Sequence, residues 1–125
     1  MRRSVNVREV TVLNKNFGEE YLSCYFCHMN RIGIAGVGHL GKHHLRLLQD
    51  IPDLELAGCF DNDLAVMENM QDQGTRLYSS FEEMLAEVDV VDIVVPTHAH
   101  YDLATQALNK GKHVFLEKPI AETPE

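Results

Sequence analysis

The six residues GVGHLG, at positions 36–41, restrict what this chain can fold into more than any other segment. A short apolar run at 31–35 precedes them, and a segment with leucines at helical spacing, 39–49, follows them. The first glycine permits a tight turn out of a strand, the second lets the backbone approach a ligand, and the third lets the helix pack closely. This G-x-G-x-x-G spacing between a strand and a helix therefore predicts a site for the pyrophosphate of a dinucleotide.

The residues that this turn offers to a cofactor are Gly36, Gly38, His39, Leu40 and Gly41. Asp61 lies 20 positions beyond the last glycine (61 − 41), at the end of a second apolar run. A carboxylate at that point accepts hydrogen bonds from the adenine ribose hydroxyls and repels a 2′-phosphate. The segment FDNDLA around Asp61 supplies no Lys or Arg for such a phosphate. We therefore predict NAD as the cofactor, in preference to NADP.

Strand-like and helix-like segments alternate from residue 31 onward. The patterns predict strands at 31–35, 54–60, 77–78, 90–95 and 112–116, and helices at 39–49, 64–73, 81–88 and 101–110. Ser80 and Glu83 form an S-x-x-E capping box at the start of the third helix. Such alternation builds βαβ units, so we predict an α/β fold with a doubly wound parallel sheet of the Rossmann type. Its ligand site would lie after the first strand, where the strand order reverses.

Charge and composition exclude several classes of partner. The formal net charge of −8 argues against nucleic acid and anionic membranes, both of which need basic patches. No apolar run approaches the ~18 to 20 residues that a membrane-spanning helix needs. Arg2 and Arg3 are typical of an export signal, but the apolar region of roughly 7 to 15 residues that should follow them is missing. With three cysteines that cannot all pair, the sequence predicts a cytoplasmic protein.

The first 28 residues do not fit the alternation. We interpret them as an extension of doubtful origin, placed before a dinucleotide-binding Rossmann domain at 29–125. The chain of 125 residues is long enough for one domain with a core of its own.

Two groups of residues have the spacing of metal or haem ligands. Cys24, Cys27 and His28 form C-x-x-C-H, which is typical of c-type haem attachment. Haem attachment occurs outside the cytosol, and no second ligand pair completes a zinc site. His39 and His43 are four residues apart, yet no carboxylate or cysteine completes a shell around them. We therefore predict no metal site.

The second half of the chain carries three further motifs. They are Pro96-Thr97 followed by His100, then Gly111-Lys112-His113-Val114, and then Glu117-Lys118-Pro119. Pro96 and Thr97 end a predicted strand at the edge of the sheet where ligands bind. His100 could hydrogen-bond a cofactor or cap the helix that follows it. With these motifs, about residues 30–125 strongly resemble the Gfo/Idh/MocA family of nicotinamide-dependent oxidoreductases.

The resemblance implies hydride transfer to or from a secondary alcohol of a sugar, inositol or sugar-nucleotide type of substrate. It implies that Lys118 is catalytic and reaches both the reacting hydroxyl and the nicotinamide ribose. Glu117 would position that lysine or contact the cofactor, and Pro119 would belong to the same cofactor-binding segment. Pro96, Thr97 and His100 would contact the cofactor as well.

The resemblance also implies a second α/β domain that this sequence lacks. That domain would supply most substrate contacts, the proton-transfer histidine and the interface of a homo-oligomer. We therefore expect an N-terminal fragment that is inactive by itself. Two alternatives remain open, namely a non-catalytic NAD-binding regulatory module and an inactive truncated product.

Overall fold

A computed structural model of the protein describes residues 30–71 and 74–123. Its elements in chain order are β1 (Asn30–Ala35), α1 (His39–Gln49), β2 (Leu54–Phe60), α2 (Leu64–Glu68), α3 (Phe81–Glu87), β3 (Val90–Ile93), α4 (His100–Asn109) and β4 (His113–Leu116). One 3₁₀ turn, Thr97–Ala99, precedes α4. None of the helices in the described ranges is long and apolar enough to cross a membrane. The extension at 1–28, with its C-x-x-C-H motif, lies outside the described residues.

The four strands form one parallel sheet in the order β2-β1-β3-β4. From β1 the chain crosses to β2 on one side, and it later returns to place β3 on the other side of β1. The order therefore reverses at β1, and a switch point lies at the carboxyl ends of β1 and β3. The predicted doubly wound Rossmann-type sheet is confirmed.

Helices cover both faces of this sheet. Neighbouring residues of β1 point to opposite faces, as the strand period of two requires, so Ile34 and Ala35 join different apolar clusters. Leu45 of α1 packs in the cluster of Ile34. Met84 of α3 and Ala107 of α4 pack in the cluster of Ala35. Each fully buried side chain of the size of Leu or Met contributes about 1.5–3 kcal/mol, so the two clusters hold the three layers together.

Three predicted elements differ clearly in extent from the sequence patterns, whereas the others agree to within one residue at each end. The strand at 77–78 is a single parallel bridge between Cys59 and Leu77, because the chain turns into the cap of α3 only two residues later. Helix α2 ends at Glu68, and the side-chain amide of Asn69 donates to the carbonyl oxygen of Ala65 at 2.8 Å. Strand β3 ends at Ile93 rather than residue 95.

Candidate functional site

A cleft of about 590 Å³ opens at the carboxyl ends of β1, β2 and β3. Three loops line it, one after each strand. The lining residues are Gly36, Gly38, His39, Leu40, Phe60, Asp61, Asn62, Asp63, Val66, Val94, Val95, Pro96, His98, Ala99 and Leu103. Six residues predicted to bind a cofactor are among them, from Gly36 and Gly38 to Asp61 and Pro96. The structure therefore brings most of the first predicted motif together at the switch point.

The three glycines of the motif differ in what surrounds them. Gly36 has a φ of +93°, and a Cβ there would lie 2.7 Å from the carbonyl oxygen of Val94. A Cβ at Gly41 would overlap the carbonyl oxygen of Gly36. At Gly38, by contrast, a Cβ would meet no atom within 4 Å. Packing within the chain explains the first and third glycines, whereas Gly38 borders open space in the cleft.

The N-terminus of α1 also faces this space. Gly38 is its N-cap residue and offers no side-chain hydrogen bond, and the first turn contains no acidic residue. Asp63 and Ser80, in contrast, cap α2 and α3 with their side-chain oxygens. The first N–H groups of α1 are therefore left for an anion, which the positive end of the helix dipole attracts.

Asp61 connects the loop after β2 to the glycine turn. Its Oδ2 accepts a hydrogen bond from the Val37 N–H at 2.9 Å, and its Oδ1 accepts one from the Asp63 N–H at 2.9 Å. Each carboxylate oxygen has a second acceptor position, which leaves the group able to accept from ligand hydroxyls. Its charge also acts on Cys59 in β2. Burial in the core, together with the charge of Asp61, raises the pKa of that thiol to about 11.

Glu117, Lys118 and Pro119, the E-K-P segment, lie beside the cleft and not among its lining residues. The Glu117 N–H donates to the Ile93 carbonyl oxygen at 3.2 Å, which places the segment against the carboxyl end of β3. Lys118 is exposed and makes no ion pair with another described residue. The Lys118–Pro119 peptide bond is cis. The segment therefore occupies the same edge of the sheet as the cleft.

A buried carboxylate lies between the E-K-P segment and α1. Asp92, in the middle of β3, is 2% exposed, and its Oδ2 lies 2.8 Å from Nδ1 of His44. The other ring nitrogen, Nε2, lies 3.3 Å from Oε1 of Glu117. Burial raises the pKa of Asp92, and the hydrogen bond with His44 lowers it in part. This chain of contacts was not predicted from the sequence, although an Asp inside the apolar run VVDIVV was a signal for it.

His100 is buried, and both of its ring nitrogens face backbone carbonyls. Nδ1 lies 2.9 Å from the Pro119 carbonyl oxygen, and Nε2 lies 2.9 Å from the Val95 carbonyl oxygen. The helix-cap alternative is wrong, because Ala99 is the N-cap residue of α4 and no side chain caps that helix. The predicted cofactor contact stays a prediction, since any such contact would have to replace one of these two bonds. Thr97 is not among the lining residues, whereas the exposed His98 is.

Metal ligation finds no support in the geometry. Within residues 30–71 and 74–123, no three His, Cys, Asp or Glu side chains form a group that could hold an ion. His44 meets its two carboxylates through opposite ring nitrogens, so these groups do not converge on one point. His39 and His43 pack edge to face with ring centroids 5.1 Å apart.

The part of the chain that is similar to known proteins begins at residue 30, where β1 begins. The model of the Gfo/Idh/MocA oxidoreductase family, with its NAD-binding Rossmann fold, matches residues 30–125. UDP-N-acetylglucosamine 3-dehydrogenase of Acidithiobacillus ferrooxidans is 42% identical over 91 residues, which is 72% of this chain and 28% of that protein. The chain thus spans about 28% of the length of this curated relative.

Two solved structures are similar in fold. Scyllo-inositol dehydrogenase of Lactobacillus casei, with bound NAD(H) and scyllo-inositol, has a TM-score of 0.66 and 35% identity, covering 74% of this chain and 28% of that one. Biliverdin reductase of Synechocystis sp. PCC 6803, in complex with biliverdin and NADP+, has a TM-score of 0.70 and 30% identity, covering 76% and 31%. The protein belongs to the Gfo/Idh/MocA family of oxidoreductases, and residues 30–125 carry its NAD-binding Rossmann domain.

Proposed function

We propose that the cleft binds NAD and that the protein serves as an oxidoreductase acting on a secondary alcohol of a sugar, inositol or sugar nucleotide. The open space at Gly38, in front of the uncapped N-terminus of α1, carries this proposal. None of the described residues requires glycine at that position, and a ligand that approaches the backbone would account for it. A pyrophosphate is the anion that such a turn accommodates.

The lining of the cleft supports NAD over NADP. Asp61 has acceptor positions left for the adenine ribose hydroxyls and carries the charge that would repel a 2′-phosphate. Among the described residues that line the cleft there is no Lys or Arg to neutralise such a phosphate. Relatives of this domain occur with either cofactor, as the NAD(H) and NADP+ complexes cited above illustrate. The choice therefore depends on the local charges, which favour NAD.

The E-K-P segment supplies the chemical group in this proposal. When bound, the nicotinamide supplies the acceptor or donor of the hydride. The Lys118 ammonium would donate a hydrogen bond to the substrate oxygen and stabilise its alkoxide character while the hydride is transferred. Its side chain is exposed at the edge of the sheet that carries the cleft, so no internal contact has to be broken for this task.

The substrate class rests on the relatives. Both UDP-N-acetylglucosamine 3-dehydrogenase and scyllo-inositol dehydrogenase are named for a substrate with secondary ring hydroxyls. We propose that most contacts with such a substrate, and the interface of a homo-oligomer, lie outside the Rossmann domain. In this proposal, residues 30–71 and 74–123 provide the cofactor-binding site and Lys118. The specificity for the substrate comes from outside them.

Calorimetric titration with NADH and NADPH tests the cofactor. We expect NADH to bind at least about 10-fold more tightly, a difference of about 1.4 kcal/mol. Replacing Asp61 by Ala should reduce this preference, whereas Asp102→Ala, on α4 and outside the cleft lining, should leave it unchanged. Equal affinity for NADH and NADPH would overturn the choice of NAD. If the protein bound neither of them, the proposed cofactor site would be overturned.

Turnover of a Lys118→Ala variant tests the reaction. We expect the rate of hydride transfer from a cyclic polyol or sugar nucleotide to NAD+, measured in the intact protein, to fall about 100-fold or more while NADH affinity is retained. A protein that binds NADH but oxidises no such substrate would be the non-catalytic regulatory module instead.

A further inference from the structure

An imidazole that bridges two carboxylates connects three elements of the fold. His44 of α1 contacts Asp92 of β3 at 2.8 Å and Glu117, which follows β4, at 3.3 Å. The contacts join residues 48 and 73 positions apart (92 − 44 and 117 − 44). They form a continuous path from the buried middle of the sheet to the exposed E-K-P segment.

The position of Asp92 is costly for the fold. It lies between Val91 and Ile93, which are fully buried, and its Oδ1 has no hydrogen-bond partner among the described residues. A buried carboxylate with an unsatisfied oxygen costs several kcal/mol, and replacing a buried ion pair by apolar residues is often neutral or stabilising. Stability of the sheet alone therefore does not account for an aspartate here. A group that must orient His44 does account for it.

The hydrogen bonds of this path can form in two protonation states of the three side chains. With both carboxylates ionised and the ring protonated, each ring nitrogen donates a hydrogen bond. With the proton on Asp92, the carboxyl donates to Nδ1 and the ring still donates from Nε2 to Glu117. Both states carry the same number of protons and a net charge of −1. Glu117 is held in either state, so its position does not depend on which of the two partners carries the proton.

Glu117 in turn is connected to the backbone of Lys118. Its Oε2 accepts a hydrogen bond from the Lys118 N–H at 3.3 Å. On the far side of the lysine, Nδ1 of His100 lies 2.9 Å from the Pro119 carbonyl oxygen. The residues on either side of Lys118 are therefore each in contact with a histidine, Glu117 with His44 and Pro119 with His100. The Lys118 side chain itself is exposed.

We propose that His44 and Asp92 are positioning residues that, through Glu117, hold Lys118 in place for the reaction. The proposal rests on the proposed function, because it assigns Lys118 the role of contacting the substrate oxygen. Neither residue touches the substrate in this scheme. Their effect is confined to the geometry of the E-K-P segment, and a displacement of about 1 Å at a reacting group is enough to cost ~100-fold in rate.

Replacement of His44 by Gln tests the proposal, with His43→Gln as the control. The two histidines are neighbours in α1, but His43 is exposed and lies outside the path. In the intact protein, we expect His44→Gln to lower kcat about 10- to 100-fold, with NADH affinity unchanged. His43→Gln should behave like the wild type. An unchanged kcat in His44→Gln would overturn the proposal.

Replacement of Asp92 separates positioning from stability. Leu has a similar shape and no charge, so Asp92→Leu should unfold at the same or a higher urea concentration than the wild type and still lose turnover. Asp92→Asn retains an acceptor for Nδ1 of His44 and should recover most of that activity. If turnover instead followed stability across the three proteins, Asp92 would be a structural residue only.

Hydrogen exchange distinguishes this proposal from the proposed function. The amides of Lys118 and Ile120 should exchange faster in His44→Gln than in His43→Gln, whether or not a substrate is known. Equal exchange in the two variants would overturn the anchoring itself. A wild type that transfers no hydride would overturn the proposed function, whereas faster exchange with unchanged kcat would overturn the positioning role alone.

Discussion

Packing among the described residues does not explain why residue 38 is a glycine. At the other two glycines of the motif, neighbouring backbone atoms leave no room for a Cβ. The Val94 carbonyl excludes it at Gly36, and the Gly36 carbonyl excludes it at Gly41. A side chain at position 38 would project only into the cleft. Under the proposed function a ligand accounts for glycine at this position, and its effect can be separated experimentally from the packing requirement at position 36.

We expect Gly38→Ala to change the free energy of unfolding by less than about 1 kcal/mol, because φ at this position is −66° and suits alanine. NADH affinity should nevertheless fall about 10-fold or more, since the methyl group occupies the space of the pyrophosphate. Gly36→Ala should lower stability by roughly 1–3 kcal/mol, through its positive φ and its contact with Val94. Urea denaturation and calorimetric titration measure the two effects. If Gly38→Ala bound NADH with the affinity of the wild type, the proposal that the pyrophosphate lies at Gly38 would be wrong.

Among the elements, α3 is the helix for which the sequence predicts both the start and the capping residue. Ser80 Oγ accepts a hydrogen bond from the Glu83 N–H at 3.1 Å, which confirms the predicted cap. The return contact differs from the expected capping box. Glu83 Oε2 accepts from the N–H and hydroxyl of Ser79, at 3.0 and 2.6 Å, one residue before the cap. These bonds lower the pKa of Glu83.

Ser80→Ala should therefore lower the free energy of unfolding by about 1 kcal/mol, because the Glu83 N–H loses its acceptor. Ser79→Ala is the matched variant, since it removes one hydroxyl bond to Glu83 and leaves the Ser79 N–H in place. We expect it to cost less than Ser80→Ala does. Equilibrium denaturation in urea compares the two proteins. An equal loss would indicate that Glu83, rather than the cap, determines the stability of this helix start.

Local patterns predicted elements, whereas contacts between distant elements were not visible in them. The apolar run before the glycines and the S-x-x-E box gave the positions of β1 and α3 almost unchanged. The pattern at 64–73 did not predict the end of α2, where the Asn69 side chain donates a hydrogen bond to the Ala65 carbonyl oxygen. His44 lies within the predicted helix at 39–49, and only the strand order brings Asp92 beside it.

At the scale of the whole molecule, buried acids lower the stability as pH rises, and Asp92 and Cys59 are two of them. Burial raises the pKa of both Asp92 in β3 and Cys59 in β2, so the folded state binds their protons more tightly than the unfolded chain does. Stability then falls as pH rises through the interval between the unfolded and folded values. Glu83 and Glu87 act in the opposite sense. Hydrogen bonds from Ser79 lower the pKa of Glu83, and those from Arg76 lower that of Glu87, so their contributions are lost as the solution becomes acidic.

Cys59 gives the clearest test of this balance, because burial raises the pKa of its thiol by a wide interval. Its pKa rises from 9.0 to about 11, so between these values the unfolded thiol ionises while the buried thiol keeps its proton. We expect the free energy of unfolding to decline across this interval, by at most about 1.4 kcal/mol per pH unit from this one proton. Any other group that ionises in this interval is also present in a Cys59→Ala variant. Urea denaturation of both proteins from pH 8 to about 11 isolates the thiol, since the difference in stability between them should shrink as pH rises. A constant difference would mean that Cys59 ionises in the folded protein as readily as it does in the unfolded chain, and that the core around β2 is open to solvent.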